Sequence, residues 1–204
     1  MNIDKYFMLS VILVLSISPA SNAGEKNKTV AVEDKSSVYQ WLSGTKVRQV
    51  TMSKQLFAEF TTSINQKSVL SKTFPNAVRV KGKGAAVKIW QVENIKDVPS
   101  TMRSIRSTDS DAKVSPVFYS ESGQMMALPG NVLVQFNPGM SSSEIEKWCT
   151  ENGYQIANAN RKNMSYYEIQ TGAGLDAIET ANAIYNSGMV RVAEPNWWIE
   201  MHTK

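Results

Sequence analysis

Residues 131–144, NVLVQFNPGMSSSE, hold a strand, a turn and a helix start in immediate succession. Val132, Val134 and Phe136 alternate with Leu133 and Gln135, the period of a half-buried strand. Asn137-Pro138-Gly139 is a turn. Ser141 with Glu144, and Ser143 with Glu146, both fit the Ser-x-x-Glu capping box, so a helix begins there. Ile145, Trp148 and Cys149 fall at i, i+3 and i+4 on one apolar face. Gly153 is placed as its stop. Further on, 154–159 is a weak strand and 165–171, SYYEIQT, a stronger one. Leu175, Ile178, Ala181 and Tyr185 mark a second helix face that ends at Gly188. Residues 189–193, MVRVA, close the run as a strand, and 197–201 extend it past Pro195. The order is βαββαβ.

Upstream the same order recurs less cleanly. Residues 54–60 match the first strand. Residues 62–70, with Ile64, Val69 and Leu70, take the place of the first helix. Residues 76–80 and 86–92 read as a hairpin about the Lys-Gly-Lys-Gly turn at 81–84. Asp97 before Val98-Pro99 starts a helix continued by Met102 and Ile105. Residues 113–119, KVSPVFY, close the run. Phe60 aligns with Phe136, Ile89 with Ile169 and Pro116 with Pro195. The predicted class is α+β, with two tandem ferredoxin-like βαββαβ units, each an antiparallel sheet with two helices on one face. The expected organisation is 1–23 signal peptide, 24–50 polar leader with a possible extra edge strand, 51–128 first unit, and 129–204 second unit with a C-terminal tail.

Alternation then assigns faces. Val132, Val134, Phe136, Ile169, Val190 and Val192 are expected toward the helices. Leu133, Gln135, Tyr166, Glu168, Arg191 and Ala193 are expected on the opposite, open face. That face is a candidate contact surface, unless the two units cover each other's sheets. Trp197 and Trp198 are adjacent, so in an extended segment they point to opposite sides and cannot share one core. Either one packs inside while the other seals the neighbouring unit, or one anchors a partner.

Composition narrows the function. The chain has 204 residues, 42% hydrophobic and 20% charged, which is globular and excludes whole-chain disorder, coiled coil and collagen. One cysteine, Cys149, excludes an intramolecular disulfide framework. One histidine, His202, excludes a two-histidine metal site, and it lies too near the chain end to serve a Ser-His-Asp triad. Cys149 sits on a predicted buried helix face and reads as core. No Gly-x-Ser-x-Gly elbow or phosphate loop occurs, and the glycines of KGKGAA at 81–86 lie between strands. The net charge of +4 is spread along the chain and reads as solvated surface, not a nucleic-acid site. No catalytic residue, metal or cofactor is expected. Residues 7–17, FMLSVILVLSI, then Pro19 and Ser21-Asn22-Ala23, form a signal-peptide pattern too short to span a bilayer. The expectation is export to the periplasm or the medium, with no membrane association after cleavage.

Two stretches resemble a known family. One is NVLVQFNPGMSSSE at 131–144. The other is VRVAEPNW at 190–197. Together they resemble the N-terminal prodomain of subtilisin-like serine peptidases, of the fervidolysin type. VSPVFY at 114–119 followed by MMALPGNVLVQF is similar to the junction between units in longer members. The resemblance implies a ferredoxin-like fold that templates and inhibits the protease, with the open sheet on the enzyme and the tail in its cleft. It assigns the tail role to Trp197, Trp198, Ile199, Glu200, Met201 and His202. The chain stops at Lys204, where the family continues into the catalytic domain, and the Asp, His and Ser motifs of that domain do not occur. The first expectation is therefore a secreted stand-alone inhibitor or folding chaperone of a subtilisin-like protease. The alternatives are an inactive prodomain remnant and an extracellular interaction module with a non-protease partner.

Overall fold

A computed structural model describes residues 38–63, 66–82, 86–159 and 166–201. The expected signal peptide at 1–23, the leader through 37, Ile64, the second half of the Lys-Gly-Lys-Gly turn (residues 83 and 84), Ser165 and His202 lie outside the described residues. The chain is a mixed α+β protein with four helices and two antiparallel sheets among the described residues. The described residues all fall within one compact unit.

Val38–Ser43 (β1) and Lys46–Phe60 (β2) form a hairpin about Gly44. Gly44 has φ +58, the left-handed conformation that glycine takes without a Cβ penalty. The edge strand anticipated before the first run is thus β1, and β2 starts eight residues earlier than its apolar core suggested. Val69–Thr73 (α1) follows, shorter and later than the helix expected over 62–70. Its start is set by two caps. Ser68 Oγ accepts from Ser71 N, and the buried carboxylate of Glu59 accepts from Val69 N at 2.7 Å. Phe74 ends it just before Pro75, which cannot continue a helix.

Val78–Lys81 (β3), Val87–Gln91 (β4), Val98–Thr108 (α2) and Lys113–Tyr119 (β5) complete the first run. Asp97 caps α2, accepting from Ser100 N at 2.7 Å. Met125–Ala127 (β6) is a short strand absent from the sequence reading. The second run is Asn131–Phe136 (β7), Ser142–Glu151 (α3), Gln155–Ala159 (β8), Tyr167–Gln170 (β9), Leu175–Asn186 (α4) and Val190–Pro195 (β10). Of the two capping boxes, the one that forms is Ser141 with Glu144. Trp198–Ile199 (β11) ends the described fold.

The smaller sheet has the order β10-β7-β9-β8. The larger has the order β11-β6-β5-β2-β4-β3, with β1 beside the first half of β2. Within it, the strands of the first run stand as β5-β2-β4-β3, the same arrangement as in the smaller sheet. Phe57, Trp90, Val114 and Phe118 of the larger sheet share one core with α1 and α2, and that core continues into Val132, Val134, Ile169, Ile145 and Ala181. Burial of each of the valine, isoleucine and phenylalanine side chains among them contributes about 1.5–3 kcal/mol.

Two face assignments are corrected. In β10 a bulge between Val190 and Val192 shifts the alternation. Ala193 then pairs with Val134 and is buried, while Val192 pairs with Gln135 on the far side. The extra residue of a bulge inverts every later position, which periodicity alone does not reveal. In α4 the buried positions are Ala177, Ile178, Ala181 and Ile184, so the apolar face is turned from the expected Leu175 and Tyr185, which are half-buried.

Candidate functional site

The first candidate surface is the side of the smaller sheet that faces away from α3 and α4. Val132, Val134 and Phe136 point to the helices, so Leu133 and Gln135 point away. Leu133 pairs with Glu168, and Val192 with Gln135. Leu133, Gln135, Tyr166, Glu168 and Val192 are half-buried, and Arg191 is exposed. Of the six residues expected on the open face, Leu133, Gln135, Tyr166, Glu168 and Arg191 are therefore accessible, and Ala193 is buried. Two acids on this side are held by neighbours: Glu168 accepts from Asn131 Nδ2, and Glu194 accepts from Ser43 Oγ. Arg191 and Gln135 also border a shallow recess with Phe136, Met140 and Tyr167, at the turn after β7. Phe136 is fixed there by edge-on contacts with Trp148 and Tyr167, at 5.6 and 5.3 Å between ring centroids.

The equivalent side of the larger sheet is closed. Ala58, Ile89, Val117, Met125 and Ala127 form a second small core there, rimmed by Leu56, Phe60, Val87, Tyr119 and Trp198. Closure follows from curvature. From β11 to β3 is five strand intervals, about 24 Å if the sheet were flat. Yet Lys81 Nζ, at the end of β3, lies 2.9 Å from Glu200 Oε1, just beyond β11. The two edges of the sheet curl toward each other over this second core.

The second candidate is the C-terminal segment from Trp197, of which the structure describes residues 197–201. Trp198 pairs with Ala127 and Ile199 with Met126, so the segment is a strand of the larger sheet. Glu200 N donates to Met125 O at 3.0 Å. Trp197 turns into the main core, 5.1 Å from Trp41 and 5.3 Å from Phe118. Trp198 joins the second core on the other side. Of the two readings of the tryptophan pair, this is the one in which one packs inside and the other seals the neighbouring run. Met201 is highly exposed, and His202 is outside the described residues.

The β1–β2 hairpin also escaped the sequence reading as a connector. Asn182 Nδ2 of α4 donates to Gln40 O at 3.0 Å, and Tyr185 Oη to Gly44 O at 2.9 Å. Period-two alternation about Gly44 was the available signal for the hairpin; its docking on α4 had none.

The titratable groups with shifted values serve structure. Hydrogen bonds from Ser100 hold the Asp97 carboxyl below the usual range, and those from Ser141 do the same for Glu144. Burial pushes the Cys149 thiol up. Burial, and then the nearby Glu179, raise the Tyr39 phenol. Among the described residues no group of three His, Cys, Asp or Glu side chains is placed to hold a metal ion, and no helix is long and apolar enough to cross a membrane. Comparison of the chain with protein-family models, curated proteins and solved structures gives no significant match.

Proposed function

We propose that the chain is an exported, non-catalytic binding protein of two tandem ferredoxin-like units, which engages a subtilisin-like serine protease as inhibitor or folding chaperone. The reading of the units is supported by their strand orders, β5-β2-β4-β3 and β10-β7-β9-β8, each placing the strands of a βαββαβ run fourth, first, third, second. The observation that carries the binding role is the contrast between the two sheets. The larger has its far side filled by its own side chains, while the smaller keeps Leu133, Gln135, Tyr166, Glu168 and Arg191 accessible on one side. A mixed apolar and charged face of this kind suits a protein partner better than a small molecule.

The test uses protein beginning at Gly24, binding to a panel of subtilisin-like proteases, and a Leu133→Asp/Arg191→Glu variant. The expected result is binding to at least one protease that falls tenfold or more in the variant. A second reading, an interaction module with a non-protease partner, is favoured by the pairing of Trp198 and Ile199 with β6, because that segment is then withheld from a cleft. Absence of binding to every protease of the panel would select it. Export is checked by mass spectrometry of secreted material, with Gly24 expected as the first residue.

A further inference from the structure

We infer that residues 198–201 are a releasable latch, clasped by Lys81, that closes the curl of the larger sheet and keeps the C-terminal segment docked. Besides the β11–β6 ladder, and a hydrogen bond from Gln124 Nε2 to Glu200 O at 3.4 Å, these contacts hold it. Trp198 packs against the second core. Glu200 N donates to Met125 O at 3.0 Å. Lys81 Nζ bridges both carboxylate oxygens of Glu200, at 2.9 and 3.0 Å.

These holds are unequal to those just upstream. Trp197 is wedged between Trp41 and Phe118 and is the fixed end. From Trp198 onward the ladder has two residue pairs, and β6 itself is three residues long. The clasp is at the surface, with side-chain exposures of 47% for Lys81 and 20% for Glu200. Such a pair is screened by salt and shifts an equilibrium by a few-fold at most. Ile199 and Met201 stand exposed at 38% and 86%, so little apolar burial resists their leaving. Opening therefore pivots between Trp197 and Trp198. It frees Trp198, Ile199 and Met201 and bares the backbone edge of β6, a template for another strand.

The consequence for activity rests on the protease reading: the docked segment is then an autoinhibitory contact, because the Trp198 side chain and the backbone of residues 198–200 are engaged by the larger sheet and withheld from a protease cleft. The latch itself is read without any protease. Amide exchange is measured on the protein beginning at Gly24, with Lys81→Glu, Glu200→Lys, the double reversal, and Lys81→Met as a neutral control. Exchange over 198–201 should rise about two- to five-fold in each single variant. It should return to near the parent rate in the double reversal, with the amides of Phe57 and Ala58 unchanged throughout. Unchanged exchange in the single variants would overturn the latch. So would a double reversal as fast as the singles, or a rise spread equally over β2 and β5. Protease inhibition by the same variants separates the two claims: faster exchange with no gain of inhibition leaves the latch standing and removes its autoinhibitory role.

Discussion

The indole of Trp197 lies 5.1 Å from that of Trp41, centroid to centroid, at 43°. Trp41 stands on β1, the first described strand, and Trp197 follows β10, the last strand of the smaller sheet. Phe118 of β5 meets the same indole edge-on. The contact ties both ends of the described chain to the core between the sheets, and the next residue, Trp198, leaves on the opposite side.

The two tryptophans should therefore differ in their worth to stability. Both are half-buried, but Trp197 packs against the main core with two ring contacts, to Trp41 and Phe118, and Trp197→Ala should cost about 3 kcal/mol. Trp198→Ala strips a half-buried rim and should cost about 1–2 kcal/mol. Urea denaturation of both variants checks the order. Equal losses would count against the placement of the pair on opposite sides.

Phe136 and Trp148 give a second contrast. Phe136 is 7% exposed, whereas Trp148 is half-buried and borders it. Phe136→Ala should cost roughly 3–5 kcal/mol and Trp148→Ala distinctly less. A larger loss for Trp148→Ala in thermal denaturation would move the centre of that core.

Gly174 precedes α4 with φ +81, and a Cβ there would lie 3.0 Å from Pro116 Cδ of β5. Gly174→Ala should destabilise by roughly 1–3 kcal/mol through backbone strain alone. Gly123→Ala, at φ +78 with nothing within 4 Å, separates strain from crowding. A cost confined to Gly174→Ala would assign it to the contact with Pro116.

The acid limb of stability has a worked sign. Asp97 and Glu144 both have carboxyls lowered by hydrogen bonds, from Ser100 and Ser141 respectively. Their contribution is complete above the ordinary carboxylate value of ~4 and is lost as pH falls through the lowered folded values. Melting temperature should drop below about pH 4. Asp97→Asn and Glu144→Gln should each flatten that drop. A pH profile identical to the parent in both variants would exclude these caps as its source.

Cys149 is 1% exposed and its thiol is raised by burial. Thiolate is the reactive form, so alkylation should be slow in the folded protein and rise sharply in denaturant. Rapid alkylation without denaturant would show that α3 opens from the sheet.

What was readable in advance was local. Ser141 and Glu144, Asp97 and Pro99, and the alternation of Val132, Val134 and Phe136 each specify their element through neighbours a few residues away. The boundaries of β5 follow KVSPVFY for the same reason. The open-face residues Leu133, Gln135, Glu168 and Arg191 were legible because period two needs no knowledge of the partner strand. Where a local device interrupts the period, as at the bulge before Val192, the reading inverted from that point on.

The sequence by itself determined two βαββαβ runs, their main helix caps, and that adjacent tryptophans must point to opposite sides. Tertiary structure decided which sides those were. The docking of β11 on β6, the closure of Lys81 on Glu200 and the hold of the β1–β2 hairpin on α4 join residues more than 70 positions apart. No periodicity encodes such pairings. They arise because the curl of the larger sheet brings distant edges together, and because Trp197, once packed against Trp41, leaves the following residues within reach of the open edge of β6.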